Sequence, residues 1–254
     1  MLAVDRQNQI LAYLGAKGSV KTKELSRLLE ASEETIRQDL IHLENQGELR
    51  RVHGGAAPSG TGRLTLPLPE REALHREAKV AIAREACALI NPRDTVFLDA
   101  SSTVLTMTSF FPNQETTVIT NANHVIIGLS PRRNIDLICT GGDYERRSRS
   151  YTGRHAFAGM QRYLIQKMFL GVDGIDSNRG ASELNDGQAR LKEQIIDLAQ
   201  EVYILADASK LEQQSSFFFA RLSKINTLIT TRPDNPSILN NFRKAGVSVI
   251  VADD

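Results

Sequence analysis

Tryptophan is absent, cysteine occurs only twice, and no apolar run approaches the roughly 20 residues that a membrane-spanning helix needs. Two cysteines cannot build a disulfide-stapled scaffold, and no His/Cys spacing of a metal site occurs, so neither a cofactor nor a metal is expected. Cys87 and Cys139 lie in the apolar stretches EACALI and DLICTGG and are expected as buried free thiols in a reducing compartment. The amino terminus, MLAVDRQNQILAYL, has no basic leader ahead of an apolar core, which leads to the expectation of a cytoplasmic protein. An excess of one charge is lacking too. Thirty-one Lys and Arg against 30 Asp and Glu leave +1, so global charge favours neither nucleic acid nor membrane as a partner. With 41% hydrophobic and 24% charged residues, long disorder, a collagen-like chain and a coiled coil are excluded. The 254 residues suffice for a small module followed by a mid-sized domain.

Residues 6 to 52 predict three short helices and a hairpin. Ile10, Leu11 and Leu14 form the stripe of the first helix, and Leu25, Leu28 and Leu29 that of the second, with Thr22 as its cap. Ser32 caps the third, whose buried face is Ile36, Leu40 and Leu43, and Leu49 to Val52 form a strand. The Gly/Pro/Ser-rich run GGAAPSGTGRLTLPLP then marks a linker. Beyond it, apolar runs alternate with amphipathic segments. Strands are expected at 95–99, 117–120, 135–140, 167–171, 202–207, 226–230 and 247–251, and helices at 70–90, 103–111, 187–200 and 235–245. That alternation predicts a mainly parallel sheet covered on both faces. The fold class is therefore α/β: a mainly α winged helix-turn-helix (1–57), a linker (58–69) and a mainly parallel α/β domain (70–254).

In the amino-terminal module, stepping 100° per residue along the third helix turns Gln38 outward and puts Thr35 and Arg37 on its flanks. Gln38 suits adenine in the major groove, Arg37 guanine or phosphate, and Ser32 or Thr35 a phosphate. Arg50, Arg51 and His53 make the following wing basic. The first 60 residues hold eight basic and eight acidic side chains, so placement rather than net charge favours DNA. A plain three-helix packing module is the alternative. In the carboxyl-terminal domain, Asp99, Ser101, Ser102 and Thr103 follow one strand at the start of a helix, where free N–H groups and the dipole favour an anion. Thr120, Asn121, Gly141, Gly142, Asp173 and Lys210 stand at other strand ends and converge on the crevice where open α/β sheets bind ligands.

The run SEETIRQDLIHLENQGELRRVHGGA (32–56) closely resembles the DeoR family of bacterial transcriptional regulators. Thr35, Ile36, Arg37, Asp39, Leu40, Leu43, Glu44, Gly47, Arg51, His53, Gly54 and Gly55 fall on its signature. Gln38 departs from it, since many members carry a second arginine there. The strand ends DASST, TN, GG, GVDGID and DASK resemble the sensor half of the same family, whose fold is similar to that of ribose-5-phosphate isomerase. The resemblance implies operator DNA as partner, a homo-oligomer, and a phosphorylated sugar or sugar acid as effector of a non-enzymatic regulator, usually a repressor of a carbohydrate operon. It further implies that Ser101, Ser102 and Thr103 hold phosphate, that Lys192 and Lys210 supply positive charge, and that Asp99, Asp173 and Asn185 contact sugar hydroxyls. Arg146, Arg147, Arg149 and Arg154 form a second basic cluster that can serve the phosphate or lie in a solvated loop. The rival reading is an isomerase fused to a DNA-binding module, with Glu193 as base beside Asp173, Asp176 and Lys192. The glycine-rich lysine loop expected of such an enzyme is replaced here by ASELNDGQ at 181–188. A purely structural or protein-binding module is the third.

Overall fold

The computed structural model describes residues 3–45, 49–52, 54–58 and 68–253. The chain divides into two compact units, Met1–Leu66 and Pro67–Asp254. Unit one contains α1 (Ala3–Lys17), β1 (Val20–Lys21), α2 (Thr22–Leu28), α3 (Glu33–Asn45), β2 (Leu49–Val52) and β3 (Gly55–Pro58). Ile10, Leu14, Leu25, Ile36, Leu40 and Leu43 close one core with Val20 and Leu49. Leu28, expected in the apolar stripe, instead stays 46% exposed, and Lys21 rather than Thr22 is the N-cap of α2. The antiparallel hairpin β2–β3 is the wing, and β1 pairs with the other edge of β3. That pairing requires a glycine at position 55, because a Cβ there would sit 2.0 Å from the Val20 carbonyl oxygen. Asp39 is buried on the inner side of α3, where Arg6 (2.6 Å) and Gln7 (2.9 Å) of α1 donate to it.

Unit two opens with α4 (Leu68–Ala73) and α5 (Arg76–Ala88). The single helix expected over 70–90 is broken at His75, whose φ is 50°. Then follow β4 (Thr95–Leu98), α6 (Ser102–Phe110), β5 (Thr116–Thr120), α7 (Asn123–Leu129), β6 (Ile135–Cys139), β7 (Asp143–Glu145), β8 (Ser150–Thr152) and α8 (Gly153–Met160). The chain continues with β9 (Ile165–Gly171), β10 (Gly174–Asp176), β11 (Gly180–Glu183), α9 (Asp186–Ile195), β12 (Ala199–Leu205), β13 (Phe217–Ala220), β14 (Thr227–Thr231), α10 (Ile238–Lys244) and β15 (Ser248–Ala252). Helix α9 is shorter than the expected 187–200, because β12 already begins at Ala199.

All seven expected strands join one sheet in the order β15-β14-β12-β9-β4-β5-β6, every neighbour parallel. Its two faces bury alternate side chains. Val96, Leu98, Val118 and Phe169 pack under α5, α6 and α7, while Phe97, Ile119, Met168 and Leu170 pack under α8, α9 and α10. From β4 the chain runs outward through β5 and β6, then returns to β9 on the other side of β4 and runs outward again. The carboxyl ends of β4 and β9 therefore flank a topological switch point, where open α/β sheets leave a crevice. A small antiparallel sheet, β10-β11-β13, lies outside the main sheet, and β7 pairs with β8. Cys87 is buried as expected, but Cys139 is exposed, because it ends the edge strand β6.

Removing the Asp39 carboxylate leaves Arg6 unpaired in a setting only partly open to solvent. We expect Asp39→Ala to destabilise unit one by about 2 kcal/mol, between the values for exposed and buried pairs. In hydrogen exchange, α3 amides should then exchange about 30-fold faster while β4 and β9 amides are unaffected.

Candidate functional site: a DNA-facing helix and a polar crevice

Helix α3 starts where Ser32 Oγ accepts a hydrogen bond from the Thr35 amide (3.0 Å) and shares one with Thr35 Oγ1 (2.8 Å). Burial of Ile36, Leu40 and Leu43 forces Glu34, Arg37 and Gln38 to the outside, where all three are exposed. Glu34 holds the other two: Arg37 Nη1 donates to one of its oxygens (2.9 Å) and Gln38 Nε2 to the other (3.0 Å). In the wing, the Arg51 amide donates to Glu44 Oε1 (2.7 Å), and the Arg51 side chain stays exposed. Arg50 lies on β2, and His53 falls outside the described residues. The outer face of α3 thus carries one amide and one guanidinium, aligned by a shared carboxylate.

The crevice is built around Lys192. This lysine projects from α9 into the protein, where it is 3% exposed, and donates to Asp99 (2.7 Å), to the Gly171 carbonyl (2.7 Å) and to Glu183. Asp99 follows β4. Its other contacts are the Ser101 amide (2.9 Å) and the Gly171 amide (3.0 Å), so one carboxylate ties the end of β4 to the end of β9 and to the start of α6. A Cβ on Gly171 would lie 2.2 Å from Ser101 Oγ, so only glycine lets the two strand ends approach this closely. Ser101 Oγ accepts from the Val104 amide (3.1 Å) as the N-cap of α6. Among the described residues nothing accepts from the Ser102 and Thr103 amides, and both side chains are buried.

Three carboxyl groups, those of Asp99, Asp173 and Glu183, gather here around the single ammonium of Lys192. Burial pushes Glu183 up to about 8; Lys192 opposes this, and the neighbouring Asp173 adds to it. Burial works against ionisation of Asp173 as well, but hydrogen bonds from Glu183 and the Leu184 amide, with the charges of Lys210 and Arg71, hold it below the usual carboxylate range. Lys192 stays charged despite burial because Asp99 and Glu183 both favour its protonated form. At neutral pH the proton therefore resides on Glu183 and the charge on Asp173.

The remaining expected site residues divide by what already occupies them. Lys210 is half-buried, and its side chain has no hydrogen bond or ion pair among the described residues. Asn121 donates to the Tyr151 carbonyl (2.9 Å) and to Gln188 Oε1 (3.4 Å), while its buried Oδ1 has no partner among the described residues. Thr120 Oγ1 donates to the Leu98 carbonyl (2.7 Å) and accepts from the Ala122 amide (3.0 Å), so its hydroxyl serves the strand end. Asn185 Oδ1 is the N-cap of α9 (2.9 Å to the Gln188 amide). Gly141 and Gly142 serve the turn: their φ values are 62° and 121°, and a Cβ on Gly142 would meet the Thr152 carbonyl oxygen at 2.5 Å. Arg149 bonds to His124 (2.9 Å), while Arg146 and Arg154 are exposed. Glu193 is exposed beside Arg190, outside the crevice that its neighbour Lys192 enters, and so is not placed to act as a base there.

Sequence reasoning missed Glu183 and Arg71. Glu183 ends a strand whose four residues are all buried, and a lone carboxylate in such a strand is a signal that burial would have revealed. Arg71, within LPEREA, reads as any solvated helical arginine.

A winged helix-turn-helix followed by a parallel α/β unit with a charged crevice at its switch point defines a DNA-binding regulator with a sensor domain. The chain belongs to the DeoR family of transcriptional regulators: the DeoR-like helix-turn-helix domain matches residues 6–59 and the DeoR C terminal sensor domain residues 74–232. A putative aga operon transcriptional repressor of Escherichia coli O157:H7 is 32% identical over 98% of this chain and 94% of its own length. An L-fucose operon activator of Haemophilus influenzae is 35% identical over 91% of this chain and 93% of its own. Among solved structures, ribose 5-phosphate isomerase A of Methanocaldococcus jannaschii matches with a TM-score of 0.40 and 16% identity, over 53% of this chain and 54% of that one. No helix among the described residues is long and apolar enough to cross a membrane.

The Glu183 proton has a consequence for stability. Because its pKa rises from 4.5 to about 8 on folding, its contribution is fully present below pH 4.5 and is lost as pH rises toward 8. Asp173 acts oppositely and outside this window, losing its contribution only as pH falls below 3.8. Between pH 5 and 8 the thermal midpoint of unit two should fall with rising pH more steeply in the parent than in Glu183→Gln. Equal slopes by calorimetry would mean that Glu183 carries no proton in the folded state.

Proposed function

We propose that the protein is a repressor of a carbohydrate uptake or catabolism operon, acting in the cytoplasm on double-stranded operator DNA and released by a phosphorylated sugar or sugar acid. The observation that carries the reading is the α6 amino terminus at the switch point. Two free amides and two buried hydroxyls face an anion there, beside an Asp99–Lys192 pair that fixes their orientation. Lys210 supports it with an uncommitted positive charge, and Asn121 Oδ1 and Asp173 offer acceptors to sugar hydroxyls. The names of the related repressor and activator, both of sugar operons, support the substrate class and leave the sign to experiment. The protein performs no turnover, a reading supported by the exposed position of Glu193.

On DNA, Gln38 reads a base, Arg37 reads a base or phosphate, Ser32 and Thr35 bind phosphate at the helix start, and Arg50, Arg51 and His53 hold the flanking backbone. One helix reads only a few base pairs, so the protein acts as a homo-oligomer on half-sites spaced by whole helical turns. Gln38→Ala should relax preference at one base position at a cost of about 1–3 kcal/mol, while Arg51→Ala weakens all sequences alike and flattens the salt dependence. Titrating both variants against a set of single-base operator changes distinguishes the two roles, and a uniform loss for Gln38→Ala would remove its role as base reader.

Sensing is separable. Ser102→Asp places a fixed negative charge where phosphate is held, so the variant should bind operator normally and resist release. In the parent, reciprocal coupling between effector and operator amounts typically to about 5- to 150-fold in affinity. Operator affinity measured with and without a panel of aldose, ketose and sugar-acid phosphates reads both quantities. Release of Ser102→Asp at the parent's effector concentration would move the phosphate elsewhere. Tighter operator binding on adding the phosphate would make the protein an effector-dependent binder instead.

A further inference from the structure

Helix α4 is the first described element after residue 58, and it carries Arg71, whose charge acts on Asp173 but whose donors the crevice, as described above, does not employ. Arg71 is half-buried, and its Nε is sealed from solvent without a hydrogen-bond partner among the described residues. A guanidinium is always charged and always a donor, so a buried unpaired N–H of this kind is an unmet demand for an acceptor.

Its surroundings indicate what kind of acceptor. Helix α4 packs against α6, the helix that begins with Ser102 and Thr103. The charge of Arg71 acts with that of Lys210 on Asp173 inside the crevice. Buried Lys79 donates to the carbonyls of Arg71 and Leu74 (2.6 Å to the latter), which fixes the carboxyl end of α4 and adds a third positive charge. Lys79 in turn feels both Arg71 and Lys210 as like charges, so these three cations share one region. Of the anions whose charge these cations feel, Asp173 and Asp207 are already engaged. Asp207 accepts from the Ser209 amide (3.0 Å) and hydroxyl (2.5 Å), Asp173 bonds to Glu183 and the Leu184 amide, and Glu72 is exposed. Among the described residues, Arg71 and Lys210 thus have no ion-pair partner, beside a helix start with two free amides.

We propose that Arg71 is an anion-binding residue of the sensor, which closes on the phosphate held at the α6 amino terminus from the side opposite those amides, together with Lys210. The proposal rests on the phosphorylated-effector reading and extends it to a residue outside the strand ends. Through this contact the bound anion also fixes Leu68–Ala73, already tied to the arginine-rich loop by the Leu68 amide bonding to the Arg147 carbonyl (3.3 Å). Ligand capture therefore immobilises the helix by which the chain enters the sensor unit.

Hydrogen exchange of the full chain, in inorganic phosphate and in chloride of equal ionic strength, tests this with the parent, Arg71→Gln and Arg71→Lys. In the parent, phosphate should slow exchange both at Ser102–Val104 and at Leu68–Ala73. Arg71→Gln should bind phosphate about tenfold more weakly and lose the slowing at Leu68–Ala73, even at phosphate concentrations that still protect Ser102–Val104. Arg71→Lys, which keeps the charge but not the fork, should fall between them, and it decides the matter if Arg71→Gln does not fold in chloride. Parent-like phosphate affinity and protection in both variants would overturn the proposal alone, as would parental protection confined to α6. No protection of Ser102–Val104 in the parent would overturn the phosphorylated-effector reading and this proposal with it.

Discussion

The ammonium of Lys192 sets the geometry of the crevice. It comes from α9 and meets three acceptors that belong to the ends of β4, β9 and β11. β4 and β9 are neighbours in the main sheet and β11 belongs to the small one, so the buried lysine refers the two sheets to one point. A cation so far from water is tolerated because the Asp99 carboxylate, the Glu183 carboxyl group and a carbonyl replace its hydration shell, and truncating Asp99 would strand the charge. Asp99 then passes the constraint on. With one oxygen on the Ser101 amide and the other on the Gly171 amide, it aims the first turn of α6 at the crevice. The absent side chain at Gly171 belongs to the same construction, because the Ser101 side chain fills that space.

The main sheet was legible because its strands are buried on both faces and so read as unbroken apolar runs, of which VFL, VIT and VYIL are clear cases. The helix start at Ser32 was legible for a similar reason, since a hydroxyl followed by the first helical residues is a local signal, and α6 begins one residue before the expected 103 with Ser101 as its cap. Elements without a periodic signature were not legible. Strands β7, β8, β10 and β11 have three or four residues each, too few for alternation to register. The break between α4 and α5 lies at a histidine of positive φ, a conformation that side-chain type does not announce.

The site was legible as a place but not as a set of roles. Strand ends rich in Thr, Asn, Asp and Gly point to the crevice, yet the same residue types cap helices and turn chains. Thr120 and Asn185 carry the right chemistry and spend it on the backbone. Glu183 and Arg71 acquire their importance from partners far along the chain: Lys192, Asp173 and Lys210 reach them through tertiary packing alone. Cys139 shows the same limit from the apolar side. Its neighbours are those of a buried strand, but β6 is an edge, and which strand becomes the edge is a property of the whole topology.

The carboxylate of Glu34 bears on time as well as on affinity. Arg37 and Gln38 both rest on it in the free protein, so under the base-reading roles proposed for them a duplex must replace two existing hydrogen bonds before either side chain reaches a base. Matching bases supply those replacements. A duplex with the wrong bases offers phosphates only, and the same carboxylate repels them. Dwell times on unmatched stretches are shortened accordingly, and a molecule that lets go quickly samples more of a chromosome in each second. Under those roles the acid in the first turn of α3 works as a release catch for the search, set before any operator is met.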